Sequence, residues 1–284
     1  MQLSCLPVSF FDAILAGRMS VAQWAAAGQA AGLDAVDLSI LFIPDRSPAT
    51  AARLRREIEH LGMRVTMVTS YPDFTHPDAG QRERELEQAQ NTVAVAQALG
   101  AQLLRVTAGQ AHPQTSRADG VAWAAAGLTQ LAERTRGSGV TLVYENHAKP
   151  GAWTYTDFSQ PPELFLEIVR RTAEAGLGVN FDTGNATAFA DDPCALLSQV
   201  IDRVASVHAA DTAVHGELKP VLLGTGLTPF AALFRQLRQH GFDGWVCMEE
   251  ASMQGQAGVV AAAHFVRACW QTAGAPVQLE SESR

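Results

Sequence analysis

Short apolar runs recur along the chain, each preceded by a glycine and, before that, by a longer mixed stretch rich in alanine and arginine. The segments "AAGLDAVDLS", "HLGMRVTMV", "ALGAQLLRV", "GSGVTLVYE", "EAGLGVNFD" and "QHGFDGWVCME" share this order. Glycine at that point, here Gly32, Gly62, Gly100, Gly139, Gly176 and Gly241, suits the residue just past a helix, where the left-handed backbone is needed. The runs are apolar at nearly every position, which predicts strands covered on both faces. Two further strands are predicted at Leu3–Val8 and Val204–His208. Helices are predicted over Ser20–Ala31, Pro48–His60, Arg82–Leu99, Gly120–Arg136, Pro162–Ala175, Pro193–Gln199, Pro229–His240 and Gly258–Thr272, with Thr228 and Pro229 as an N-cap and first-turn pair.

Eight strand–helix units in about 250 residues have the size and rhythm of a (β/α)8 TIM barrel, an α/β fold in one domain. A doubly wound sheet is the competing arrangement, but no glycine-rich fingerprint follows the first strand. The barrel is expected to span residues 1–273, with a polar tail over 274–284.

Composition narrows the functional classes. The formal net charge is −8, which supplies no basic field for nucleic acid or an anionic membrane. Cys5, Cys194, Cys247 and Cys269 are scattered without metal-binding spacing and read as reduced core residues. No lysine or arginine precedes Arg18, so the apolar start lacks the charged region of a secretion signal, and a cytoplasmic protein is expected. The assembly is left open between monomer and homodimer.

The chemistry gathers at strand ends. The fifth predicted strand ends at Glu145, the sixth at Asp182, the seventh at His208 and the eighth at Glu249. Alternate residues of a strand share a face. Glu145 therefore goes with Val143 and Thr141, Asp182 with Asn180 and Gly178, His208 with Ser206 and Val204, and Glu249 with Cys247 and Trp245. All four point to the barrel axis at the C-terminal end, where barrel enzymes hold their sites. One such residue is explained by a cap; "DTGN" after Phe181 is good turn chemistry, and Asp182 can be an N-cap. Four with one parity point to a metal site. Two glutamates, one aspartate and one histidine, with no thiolate, favour one divalent ion, Mn2+ first, with Mg2+, Co2+, Zn2+ or Fe2+ remaining open.

The segments "VYENH", "NFDTGN", "SVHAAD", "LLGTG" and "FDGWVCMEEAS", in this order, resemble the xylose isomerase-like TIM barrel superfamily of sugar isomerases and epimerases. The resemblance implies that Glu145, Asp182, His208 and Glu249 bind one divalent metal. In the ketose 3-epimerase branch it also implies that the two glutamates, Glu145 and Glu249, act as acid and base. Two departures stand out. Asn185 occupies a position where many members have histidine, and Gly224-Thr225-Gly226 replaces a glycine-glutamate-glycine. The histidines needed for the three-zinc cluster of endonuclease IV are missing, so DNA repair is not expected.

Around the four ligands, His147, Trp153, Asn185 and Arg105 are the substrate-binding candidates. His147 shares the parity of Glu145, and is either a contact to a substrate hydroxyl or a loop histidine bonded to backbone. Trp153 belongs to an aromatic loop, "GAWTYTDF", suited to sugar C–H surfaces or to its own packing. Arg105 either anchors an anionic group or pairs with a site glutamate. The expected reaction is isomerisation or epimerisation of a sugar or keto-polyol. The metal polarises an α-hydroxy carbonyl and stabilises the enediolate while carboxylates move the proton. The alternatives are dehydration of a keto-inositol with His147 as acid, and a non-catalytic sugar-binding barrel.

Overall fold

The computed structural model describes residues 1–274. Eight parallel strands run in the order β1-β8-β7-β6-β5-β4-β3-β2. They are β1 (Gln2–Leu6), β2 (Val36–Ser39), β3 (Val65–Thr69), β4 (Leu103–Val106), β5 (Thr141–Glu145), β6 (Gly178–Asp182), β7 (Val204–Ala209) and β8 (Trp245–Glu249). The ring closes between β1 and β2 largely through side chains. Asp34 N–H donates to Leu3 O at 2.9 Å, Leu3 N–H donates to the Asp34 carboxylate at 2.8 Å, and Ser4 Oγ donates to Asp37 Oδ2 at 2.8 Å. The fold is a nearly closed (β/α)8 barrel in one domain.

The helices are α1 (Phe11–Leu15), α2 (Val21–Ala30), α3 (Pro48–His60), α4 (Ala79–Leu99), α5 (Arg117–Arg134), α6 (Pro162–Arg171), α7 (Thr183–Phe189), α8 (Pro193–Val200), α9 (Phe230–Gln239) and α10 (Gly255–Ala273). Each longer helix buries one stripe. In α9 the buried residues are Phe230, Leu233, Phe234 and Leu237, the spacing of one helical face. They join a continuous outer core with the outward residues of the strands, such as Tyr144, Phe181, Val207 and Met248. Each such side chain contributes roughly 1.5–3 kcal/mol on burial. All six glycines expected after helices have positive φ, from +72° at Gly62 to +79° at Gly139.

Several boundaries differ from expectation. Strand β1 ends at Leu6, and the segment beyond it coils into a 3-10 turn and α1. Helix α9 starts at Phe230 with Pro229 as its cap residue, while the Thr228 hydroxyl donates to Ala210 O at 3.3 Å instead of capping. Helix α7 follows Asp182 directly; it is absent from the predicted helices, though it gives Asp182 the N-cap role open to it from the sequence. The parity assigned to β7 holds only at its C-terminal half. Its register against β6 shifts, pairing Val179 with Val204 but Asn180 with Ser206, so one extra residue is accommodated there. Beyond that irregularity Ala205 packs on the inner cluster of Met67, Leu103, Val143, Trp245 and Cys247, and Val204 packs outward. The tail expected over 274–284 lies outside the described residues apart from Gly274. Among the described residues no helix is long and apolar enough to cross a membrane.

Candidate metal centre

Strands β5 to β8 bring Glu145, Asp182, His208 and Glu249 together. One ligand atom from each lies within 4.8 Å of every other. His208 Nδ1 faces both glutamates, 2.8 Å from Glu145 Oε1 and 3.0 Å from Glu249 Oε1. Its Nε2 contacts Met67 Sδ at 3.3 Å, which fixes the ring. Arg105, from β4, puts Nε 2.6 Å from Glu145 Oε2, donates through Nη1 to Ser70 O at 2.9 Å, and lies over the Tyr71 ring at 4.7 Å. Of the two routes open to Arg105, pairing with the site glutamate is thus the contact present.

Asp182 serves two purposes at once. Its Oδ1 accepts the Asn185 N–H at 2.6 Å and caps α7, as an N-cap does. Its Oδ2 is buried and has no partner. A buried carboxylate oxygen without a partner is costly unless it carries a proton or meets a cation.

The charges are strongly coupled. Burial raises the Glu145 carboxyl, but Arg105 and then His208 more than reverse this, to about 2. Burial also raises Glu249, and His208 reverses it. Burial lowers His208, yet Glu145 and Glu249 lift it well above its ordinary value. Asp182 is raised well above the carboxylate range by burial, then by Glu249 and Glu145. With Asp182 ionised and His208 neutral, the forms in which they would bind a cation, three carboxylates against one guanidinium carry two negative charges, which is the charge of one divalent cation. The orphaned Asp182 Oδ2, the convergent atoms and this charge fit such an ion, with Glu145, Asp182, His208 and Glu249 as its holders.

The tips carrying the ligands are stapled to one another. Asn146 Nδ2 donates to Asp182 O, and Asp182 N–H donates back to Asn146 Oδ1, both at 2.8 Å, tying β5 to β6. Thr183 Oγ1 donates to Ala210 O at 2.7 Å and accepts Ala210 N–H at 3.0 Å, tying β6 to β7. Asp211 accepts four backbone N–H groups, from Thr212, Gly224, Gly226 and Thr228, at 2.9–3.0 Å. This accounts for the glycines of "LLGTG". A Cβ on Gly226 would sit 2.4 Å from Asp211 Oδ1, whereas Thr225 between them is exposed. None of these three residues was singled out from the sequence; each is the first or second polar residue after a ligand, which is the usable signal.

The remaining candidates lie around the rim. His147 is largely buried, and its Nδ1 is 3.7 Å from Asp157 Oδ2; neither atom has a hydrogen-bond partner. Burial lowers His147 to about 4 and raises Asp157 to about 8. Asp157 was missed, since only the fold of its loop brings it to His147. Trp153 is half-buried, its ring 6.3 Å from that of His147. The rest of the aromatic loop is strapped to the loop after β4. Thr154 and Tyr155 N–H donate to Gln110 Oε1, Ala111 N–H donates to Thr156 O, and Phe158 N–H donates to Gly109 O. Asn185 is buried beside Asp182, its Oδ1 without a partner.

A family model described as the xylose isomerase-like TIM barrel matches residues 25–269. The chain belongs to this family. An inosose dehydratase of Lacticaseibacillus casei is 23% identical over 141 residues, 44% of this chain and 45% of that protein, so the match spans less than half of its length. Among solved structures, the D-psicose 3-epimerase of Clostridium cellulolyticum H10 with D-tagatose superposes with a TM-score of 0.75 at 13% identity, covering 95% of this chain and 99% of that one. The IolI protein with a bound zinc atom gives 0.78 at 14% identity, covering 97% and 100%. At these identities the two structures establish a shared fold, and the xylose isomerase-like family contains the sugar epimerases and the dehydratase to which the chain is similar.

Proposed function

We propose that the chain is a divalent-metal-dependent isomerase or epimerase of a sugar or sugar derivative, working by proton transfer at the carbon beside a carbonyl. The observation that carries this reading is the pair of glutamates converging on His208 from β5 and β8. A bound cation would supply Lewis-acid stabilisation of the charge that proton removal puts on the substrate oxygens. Glu249 is the more open carboxylate, 22% exposed against 0% for Glu145, and it makes no arginine contact, so it is the better placed to take the substrate proton. Glu145 is held ionised by Arg105, so to return a proton it must first take one from solvent as that ion pair slackens, while the proton taken by Glu249 leaves to solvent. Trp153 covers an apolar sugar face, and His147 and Asn185 are positioned to meet hydroxyls.

A second reading is dehydration of a keto-polyol, with His147 assisting departure of a hydroxyl and Asp157, raised to about 8, holding the proton beside it. The unpartnered facing atoms of His147 and Asp157 favour it, as does the similarity to an inosose dehydratase. Glu145→Gln and Glu249→Gln decide between one and two bases. At saturating Mn2+, each should lose turnover by at least the ~10²-fold expected of a general base, measured as deuterium uptake from D2O into ketose and keto-inositol substrates. Near-normal uptake in either variant would remove the two-base mechanism. Net loss of water from the keto-inositol would favour the dehydratase.

A further inference from the structure

Gln110 lies in the loop after β4, and its side-chain amide is committed at both ends. Its Nε2 donates to Asp73 Oδ2 at 3.0 Å, and its Oε1 accepts the N–H groups of Thr154 and Tyr155 at 3.0 and 3.2 Å. Its backbone is fixed as well. The Gln110 N–H donates to Asp73 Oδ1 at 2.9 Å, and Gln110 O accepts the Thr75 hydroxyl at 2.8 Å. Gly109 before it permits this close approach, since its φ is +130° and a Cβ there would lie 2.5 Å from Asp73 Oδ1.

The direction of the amide follows from its partners. Asp73 is buried, and a carboxylate only accepts, so the amide nitrogen must face it. The oxygen is then left for the aromatic loop, where two adjacent N–H groups require an acceptor. Thr154 and Tyr155 are exposed and directly follow Trp153, whose ring stands 6.3 Å from that of His147. The other bonds between the two loops, at Thr156 O and the Phe158 N–H, lie further along the chain from Trp153. One side-chain oxygen therefore anchors the residues next to Trp153.

We propose that Gln110 is a positioning residue: turned by Asp73, it seats Trp153 at the barrel mouth and so sets how tightly substrate is held. The inference rests on the isomerase or epimerase reading above for Trp153 as a substrate contact. A loop seated only part of the time weakens apparent binding by that fraction, while a saturated site turns over as before. Loss of the Gln110 contacts should therefore raise KM and spare kcat.

The test exchanges donor and acceptor between the two partners. Gln110→Glu sets two carboxylates against each other. Asp73→Asn turns an amide nitrogen toward Gln110 Nε2, because the Gln110 N–H keeps the oxygen on its own side. Together the two changes restore one donor and one acceptor, and the loop N–H groups regain their oxygen. Trp153 is followed by fluorine NMR of protein labelled with 5-fluorotryptophan, with Mg2+ as a diamagnetic ion. Its line among those of the five tryptophans is assigned by Trp153→Phe. In Gln110→Met and in each single exchange this line should move toward its position in the unfolded chain, and the paired exchange should bring it back. With Mn2+ and the ketose or keto-inositol that exchanges deuterium fastest, KM should rise about tenfold in Gln110→Met, the worth of one or two hydrogen bonds, with kcat within about twofold. An unmoved Trp153 line in Gln110→Met, a pair no better than its single members, or a fall in kcat at unchanged KM overturns the proposal. If no ketose or keto-inositol exchanges, the reaction reading fails, and a Trp153 line lost in the single variants and restored in the pair still supports the seating by Gln110.

Discussion

Cation uptake by the four-residue centre should release up to two protons near neutral pH. The first is on His208. Its Nδ1 is shared between Glu145 and Glu249 at 2.8 and 3.0 Å, and these carboxylates hold the imidazolium proton well above the usual histidine range. A nitrogen cannot keep that proton and bind a cation. The second is the proton of Asp182, whose carboxyl is pushed well above the ordinary carboxylate range by burial, then by Glu249 and Glu145, with Oδ1 committed to the Asn185 N–H and Oδ2 left for the proton. Glu145 and Glu249 are held low and ionised, and contribute none. Affinity must therefore rise with pH, by about tenfold per pH unit for each proton displaced, or about 1.4 kcal/mol each. Two protons give about a hundredfold per unit while both groups stay protonated in the free protein. Calorimetric titration with Mn2+ between pH 6 and 8, in buffers of different ionisation enthalpy, counts the protons directly. In Asp182→Asn the count should fall by one in whatever binding remains. A pH-independent affinity with no proton release would refute the charge assignments for both residues.

Asp182→Asn and His208→Ala should lose bound divalent metal while circular dichroism stays that of a folded barrel; unchanged metal by elemental analysis in both would remove the ligand assignment. Trp153→Ala should weaken substrate binding without changing metal content, and wild-type affinity would make that residue part of the scaffold alone. Asn146→Ala strips two buried hydrogen bonds from the Asp182 backbone, at a cost of about 2–4 kcal/mol. Its thermal midpoint should fall by roughly 3–7 °C, and an unchanged midpoint would show that the staple contributes little.

The barrel was legible because its signals are local. A helix end calls for glycine, a strand covered on both faces is apolar throughout, and the six positive-φ glycines follow from that. The convergence of Glu145, Asp182, His208 and Glu249 was legible because alternation fixes the face of a strand tip. Helix α7 was not, since Thr-Gly-Asn-Ala-Thr has little helix propensity and the helix is held by the Asp182 cap and the Thr183 bond to Ala210. The register shift in β7 has no signature in "RVASVH"; it exists only in the pairing with β6. Arg105 had two plausible partners until β4 was set beside β5, and Asp157 meets His147 only through the course of an irregular loop.

The staples at the strand tips anchor the backbone next to three of the four converging residues. Asn146, Thr183 and Asp211 make their bonds within one to three residues of Glu145, Asp182 and His208, and most of each connecting segment lies beyond them. Insertions or exchanges in those segments can then reshape the mouth while the charge centre keeps its geometry. The same frame can be inherited by enzymes for different sugars, and loop grafting between relatives should preserve metal binding even where it abolishes recognition.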